Sequence, residues 1–206
     1  MRSVAKDHQA ARVRRPKFTA QRRAEILDAT VALLIERGYD LLRLEMIADR
    51  AKASKATIYR HWVSKQSLVV AAFLHSGAPV TPSDVDTGSL RGDLLEAYGQ
   101  QQAVGRDCRL LIAVASAVRT DDELAWEFRK HFVAPRLRAG ELIFERARRR
   151  GELAAGVEIS LLLHALHGAL LHHAVISGDV VDRNFVEQIV DHVLLPAAMR
   201  VVPPAP

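Results

Sequence analysis

Ser54-Lys55-Ala56-Thr57-Ile58-Tyr59-Arg60-His61-Trp62 carries two patterns at once. Ile58 and Trp62 stand four apart, so a helix here turns both inward, while Lys55, Thr57, Tyr59 and His61 point elsewhere. The Ser54 side-chain oxygen can accept the unpartnered amide of Ala56 or Thr57, which starts the helix at that point. Upstream, a shorter helix over about Leu44 to Ala51 turns Ile47, Ala48 and Ala51 inward, and Lys52-Ala53 follows as a tight turn. Downstream, Ser64 repeats the cap for a helix from Lys65 to about His75, ending near Gly77.

Two short helices joined by a tight turn form a helix-turn-helix, whose second helix places its N-terminal residues at base edges in the major groove. The inward positions must be apolar to hold that helix rigid, and the outward ones must donate to bases and phosphates. Residues 54–62 meet both demands. Ahead of them, Thr19 caps a helix running to about Arg37, with Ile26, Ala29, Thr30 and Leu33 on one face and Gly38 at its C-terminus. Residues 1–18 lack apolar periodicity and carry Arg12, Arg14 and Arg15 among six basic residues, which reads as a basic arm.

Charge agrees with this polarity along the chain. Residues 1–76 hold 15 Lys or Arg against 7 Asp or Glu, a net +8, whereas residues 77–206 hold 14 against 17, a net −3. A basic surface attracts nucleic acid and anionic lipid alike, so the motif must decide between them. With 49% hydrophobic residues, no evident bilayer-length apolar run and no signal-peptide pattern, a soluble cytoplasmic protein is expected. The single cysteine, Cys108, has no partner for an intramolecular disulfide and reads as a small core residue.

Residues 77–88, with Pro79 and Pro82, read as a linker between a head over 19–76 and a larger unit over 89–200, followed by a tail over 201–206. Beyond the linker the periodicity is helical throughout, with spans of about Ser89–Val104, Asp107–Arg119, Asp121–Arg150, Glu158–Ile176 and Asp182–Met199. The fold class is therefore all-α. Pro135 should kink the third span, because it removes an amide and leaves the His131 carbonyl without its usual donor.

Gly38-Tyr39, Ile47-Ala48, Ala51-Lys52-Ala53-Ser54, Lys55-Ala56-Thr57-Ile58-Tyr59-Arg60-His61-Trp62 and Ser64-Lys65-Gln66-Ser67-Leu68, in that order, resemble the tetracycline-repressor (TetR) family over about residues 19–75. The resemblance implies a three-helix DNA-binding head, a linking fourth helix, a C-terminal bundle that senses a small molecule, and a homodimer made by the last two long helices. It implies a palindromic double-stranded operator as partner and no cofactor. Lys55, Ala56 and Thr57 then become the base contacts, and Arg43, Tyr59, His61 and Lys65 the phosphate contacts, with Arg12, Arg14 and Arg15 available to an adjacent minor groove. Two positions depart from the family. Arg43 stands where a capping Thr or Ser is usual, which weakens the second helix's cap, and Lys52 stands where Gly is usual in the turn.

Candidates for an effector pocket are Tyr98, Leu111, Trp126, Phe128, Phe132 and Phe144, aromatic or apolar residues on the kinked helix and those before it. For the dimer interface, Ala165, Gly168 and Ala169 make a small-residue face flanked by His164 and His172, with Ile189 and Val193 on the last helix. His164 and His167 are three apart with no carboxylate in a metal-binding pattern, so no metal site is expected. An effector-independent repressor and, more remotely, a helical enzyme using the histidine-rich helix are the alternative readings. The latter would lack a phosphate loop, a nucleophile elbow and a base for Cys108.

Overall fold

The computed structural model describes residues 18–76, 84–99 and 108–200, with the backbone alone for Cys108, Arg109 and Leu111. Arg12, Arg14 and Arg15, most of the linker, the tail, and the side chains of Leu111 and Cys108 therefore lie outside the described residues. The described chain holds α1 (Ala20–Leu41), α2 (Leu44–Arg50), α3 (Lys55–His61), α4 (Lys65–His75), α5 (Leu90–Tyr98), α6 (Cys108–Ala117), α7 (Asp122–Phe128), α8 (Ala134–Arg149), α9 (Ile159–Leu171), α10 (Arg183–Ile189) and α11 (Leu195–Met199). No strand occurs among the described residues, in keeping with the all-α expectation.

Side-chain caps set most of the helix starts. Thr19, Ser54, Ser64, Ser89, Asp121 and Asp182 each accept an amide from the first turn of the helix that follows. Arg43 makes no such bond, so α2 begins without a side-chain cap. The helix ends follow equally local rules. At the end of α2 the Ala53 amide donates to Ala48 at 2.8 Å and the Lys52 amide to Asp49 at 3.1 Å. The end of α8 repeats this pairing, with Glu152 donating to Ala147 and Gly151 to Arg148. Both are Schellman closures, which require positive φ at the residue after the cap. Gly151 supplies it at +79°, but in the turn before α3 it falls to Lys52, at +50° the one non-glycine residue with positive φ among those described.

Pro135 acts through a change of helical register rather than a sharp break. Arg129–Val133 forms a π turn, and the Ala134 amide donates to the Arg129 carbonyl five residues back. The wider turn takes up the disorder in pairing that the missing proline amide creates, and α7 and α8 stay continuous through it. Pro196 is preceded by the same arrangement, the π turn Val190–Leu194 between α10 and α11, which the sequence reading did not anticipate.

Two buried apolar clusters organise the chain. The first contains Ile26, Leu34, Ile47, Ile58, Leu68 and Phe73 of the head and runs on into Val114 of α6 and Leu124 and Phe128 of α7. α6 packs along α1, and α7 along α4. The second gathers Leu94 and Tyr98 of α5, Phe144 of α8, Leu163 and Leu166 of α9, and Val190 and Leu194 of the last helices. Apolar packing thus crosses from the head into α6 and α7.

The second cluster is closed at one end by a buried carboxylate. Asp93, fully buried, accepts the Thr87 amide at 2.6 Å, the Thr87 hydroxyl at 2.8 Å and the Arg150 guanidinium at 2.9 Å. Burial alone would raise its pKa, but these three donors together hold it below the usual carboxylate range. Arg150 also meets Glu152, whose other oxygen accepts the Leu90 amide at 2.6 Å, so the start of α5 is fastened to the end of α8.

Two stability changes follow. Lys52→Gly should stabilise the protein by a few tenths to about 1 kcal/mol, read from the urea midpoint, because glycine adopts this φ without side-chain strain; a loss would contradict the strained turn. Arg150→Ala should cost about 3 kcal/mol by stranding the Asp93 charge, and Asp93→Asn in the same background should recover part of it. Equal stability of the single and double variants would count against that account.

Candidate nucleic-acid interface

α3 is held by its inner residues. Ile58 and Trp62 are buried in the apolar cluster of the head, where α3 packs along α2, and Glu36 of α1 takes both Arg50 guanidinium nitrogens at 2.6 and 2.7 Å, pinning α2 to α1. The Lys52 carbonyl in the connecting turn accepts from Arg22. The turn geometry therefore rests on α1 as well as on its own backbone bonds.

On the outer side Lys55, Ala56, Tyr59, Arg60 and His61 are exposed, and Thr57 is half-buried. The Ser54 hydroxyl accepts the Thr57 amide at 3.1 Å and lies 2.8 Å from the Thr57 hydroxyl, so Thr57 has a polar partner inside the head. Lys55 is paired with Glu45 of α2 at 2.5 Å, and hydrogen bonding to that carboxylate raises the lysine's pKa while lowering that of Glu45. A base edge must therefore compete with Glu45 for the ammonium. Nothing in the spacing of residues 54–62 pointed to Glu45.

His61 stacks on Phe18, ring centroids 3.5 Å apart and 16° from parallel, and Phe18 meets Trp62 edge-on at 6.0 Å. The N-terminal segment thus joins the head beside the end of α3. Arg43 is exposed and makes no capping bond, as its residue type predicts. Arg60 adds an exposed cation to the last turn of α3 that the motif reading did not assign.

Lys65 is placed differently from the open phosphate contact expected of it. Its Nζ donates to the Tyr39 carbonyl at 2.7 Å and lies 3.9 Å from the Tyr39 ring centroid, and burial lowers its pKa. The first turn of α4 abuts the end of α1, so the lysine stem lies inward and braces the two helices. Gly38, at φ +75° and ψ 173°, breaks α1 just before Tyr39 in a conformation open to glycine.

Tyr39 leads to a junction that the motif reading missed altogether. Its hydroxyl donates to Asp121 Oδ2, which also accepts the Gln66 side-chain amide at 2.8 Å, while Oδ1 caps α7 through the Leu124 amide at 2.8 Å. Desolvation pushes the Asp121 carboxyl up, but the Tyr39, Leu124 and Gln66 donors outweigh it and hold its pKa low. Burial, followed by the bond to Asp121, pushes the Tyr39 phenol well above its ordinary range. One carboxylate thus joins the ends of α1, α4 and α7.

The pocket candidates separate. Phe128 and Phe132 meet Phe73 of α4, at 5.3 and 4.9 Å between centroids, in one aromatic group against the linking helix. Tyr98 and Phe144 lie fully buried in the second cluster. Trp126 corrects the expectation of a lining residue: it is 54% exposed with the Lys130 ammonium 4.3 Å from its ring, because the outer face of α7 points away from α4.

The histidine-rich helix is accounted for by local contacts. His164 and His167 each donate Nδ1–H to the carbonyl four residues back, Ser160 and Leu163, at 2.6 and 2.9 Å, and His173 stacks on Phe185. His164, Ala165, Gly168 and His172 are exposed, with Ala169 and Ile189 half-buried and Val193 exposed. One expectation is overturned here: Ile159–Ser177 forms 19 helical residues apolar enough, by length and composition, to span a bilayer, with 28% of the stretch buried in the chain. The four histidines, polar residues spread through the stretch, interrupt its apolar run in the sequence.

Comparison with known proteins agrees with this geometry. Residues 26–72 match the family described as bacterial regulatory proteins, tetR family, and residues 84–193 match the tetracyclin repressor-like C-terminal domain. The HTH-type transcriptional regulator YdeS of Bacillus subtilis is 31% identical over 179 residues, 85% of this chain and 89% of its own. The DNA-binding transcriptional repressor TetR of Mycobacteroides abscessus is 34% identical over 177 residues, 84% and 92%. Among solved structures, the TetR family transcription regulator SCO0332 superposes with a TM-score of 0.63 at 30% identity, covering 87% of this chain and 100% of that one. FadR from Bacillus subtilis in complex with stearoyl-CoA gives 0.66 at 17% identity, covering 84% and 96%, a likeness of fold alone. With both halves of the chain matched and a helix-turn-helix resting on a helical body, the chain belongs to the TetR family of transcriptional regulators.

Proposed function

We propose that this regulator is a cytoplasmic, non-enzymatic repressor that binds a palindromic operator as a homodimer and leaves it when a small molecule occupies its C-terminal half. The observation that carries the DNA reading is the outer side of α3, where Lys55, Ala56 and Tyr59 stand exposed over a base fixed by buried Ile58 and Trp62. Lys55, Ala56 and Thr57 contact bases and Arg43, Tyr59 and His61 contact phosphates, with Arg60 beside them. Lys65 acts chiefly as a brace. Arg12, Arg14 and Arg15, which precede Phe18 in the sequence, serve the adjacent minor groove. Residues 19–76 form the DNA-binding unit, 77–88 the linker and 89–200 the sensing and dimerising unit.

The dimer reading rests on α9 and the last helices. Leu161, His164, Ala165 and Gly168 recur at helical spacing on the exposed side of α9, His172 continues the series in the π turn that follows it, and Val193 is exposed on the π turn between α10 and α11. A Cβ built at Gly168 meets nothing within 4 Å, so a partner helix has room to approach closely. A second copy covering this side removes the apolar stretch of α9 from water without lipid.

Effector release requires the ligand to favour the conformation that cannot match both half-sites, and a hundredfold loss of operator affinity needs about 2.7 kcal/mol of such preference. The route runs through α4, which touches α7 by Phe73 and the Asp121 junction by Gln66.

In a titration of two-fold symmetric duplexes, one dimer should bind half-sites whose centres lie about one helical turn, or a multiple, apart. Lys55→Ala should relax preference at one or two base positions, whereas Arg43→Ala should weaken all sequences alike and shallow the salt dependence by about one unit of slope. Uniform loss in both would refute the division into readers and clamps. By sedimentation, Leu161→Glu should yield monomers with weakened operator binding; an intact dimer would move the interface elsewhere.

A further inference from the structure

Lys55 does not act alone, because its ammonium is already bound where α2 and α3 meet. Glu45 stands in the first turn of α2, and α2 packs along α3, whose first residue is Lys55. The Lys55 Nζ donates to Glu45 Oε1 at 2.5 Å, while the two side chains remain 52% and 55% exposed. The pair thus lies on the outer side of the head, at the end of α3 that a helix-turn-helix presents to base edges. Wherever this ammonium touches a base, a carboxylate comes with it. The neighbouring residues add little polar reach: Ala56 has no polar side-chain group, and the Thr57 hydroxyl lies 2.8 Å from the Ser54 hydroxyl.

An ammonium has three hydrogens and a carboxylate about four acceptor sites, so the bond between them leaves two donors and several acceptors open. Facing the groove, the pair offers two donors followed by an acceptor. A G·C pair shows guanine N7, guanine O6 and the cytosine N4 amino group across the major groove, which is two acceptors followed by a donor. The two patterns are complementary at all three places. A·T in the same frame shows N7, the N6 amino group and thymine O4, which sets donor against donor and acceptor against acceptor. On G·C the competition between Glu45 and the base disappears, because the ion pair need not open.

We propose that Glu45 is a specificity-determining residue, and that Lys55 and Glu45 together read one G·C base pair in each half-site, the ammonium on guanine N7 and O6 and the carboxylate on cytosine N4. This rests on the reading of α3 as the base-contacting helix. Glu45 acts on other sequences too. Where no amino group meets it, its carboxylate faces base acceptors and phosphates without a donor, which lowers affinity for those sequences. The pair therefore discriminates twice, by a match on G·C and by repulsion elsewhere.

The test uses the full-length protein and a pool of duplexes randomised over two half-sites, selected in parallel by the parent, Glu45→Ala and Lys55→Ala. Both side chains are exposed, so neither variant should lose much stability. The parent should select G·C at one position of each half-site and bind the A·T replacement about tenfold or more weaker. That same position, and no other, should lose its preference in both variants. N4-methylcytosine at that position puts a methyl group where the carboxylate needs a hydrogen, and it should weaken the parent about tenfold and leave Glu45→Ala unaffected. Glu45→Ala should also hold a random duplex several-fold tighter, a gain that damage to the fold would not produce. Selection of A·T or T·A at the Lys55 position, an unchanged preference in Glu45→Ala, or a uniform loss on every duplex overturns the pair. If Lys55→Ala relaxes a position that Glu45→Ala leaves intact, Lys55 remains a reader and the role of Glu45 falls. If the parent enriches no sequence from the pool, the reading of α3 as the base-contacting helix falls with it.

Discussion

The Asp121 carboxylate is the point on which the arrangement of head and body turns. It caps α7 through one oxygen and receives Tyr39 and Gln66 on the other, so the end of the first helix, the linking helix and the first helix of the next unit share one acceptor. Hydrogen bonds to a charged acceptor are worth more than neutral ones, and here two donors from the head meet an acceptor from the body. The junction fixes α4 at its N-terminal end. Toward the C-terminal end of α4, Phe73 packs against Phe128 and Phe132.

With α4 held at two places by the body, the orientation of α3 is no longer a local matter. Lys65 ties α4 to the Tyr39 carbonyl, and Tyr39 is itself bound to Asp121, so the brace and the junction share a residue. The apolar core supports the same continuity, since Leu110, Val114 and Leu124 belong with the head cluster rather than with the body. A change in the C-terminal half can reach α3 by tilting α4 as a rigid piece, without unfolding any helix. Protonation would weaken the junction. The Asp121 pKa is depressed in the folded chain, so its contribution is present above the unfolded carboxylate value and fades as pH falls through the lower folded one.

Most of the helices were legible in the sequence because their signals are local. Ser54 and Ser64 announce starts by their own side chains, the apolar periodicity sets further starts at Ser89, Asp121 and Asp182, which do cap their helices, and Gly38 announces positive φ. The departures at Arg43 and Lys52 were equally readable, one as a weakened cap and one as a non-glycine residue where the turn usually takes glycine, which the positive φ of Lys52 bears out. What stayed hidden was every contact between residues distant in the chain. The pairing of Lys55 with Glu45, the inward turn of Lys65 and the gathering of Tyr39 and Gln66 at Asp121 depend on how helices cross. Trp126 shows the same limit: helical spacing places it on a face but does not say which face meets a neighbour.

A double-mutant cycle on Tyr39 and Asp121, residues 82 positions apart, tests most directly whether this junction joins head to body. Tyr39→Phe, Asp121→Asn and the combined variant would be unfolded in urea beside the parent protein. The junction predicts that the two losses fail to add, with a coupling of about 1.5 kcal/mol or more between them. Additivity within about 0.3 kcal/mol would contradict it, and the Tyr39 hydroxyl would then take no part in holding the head on the body.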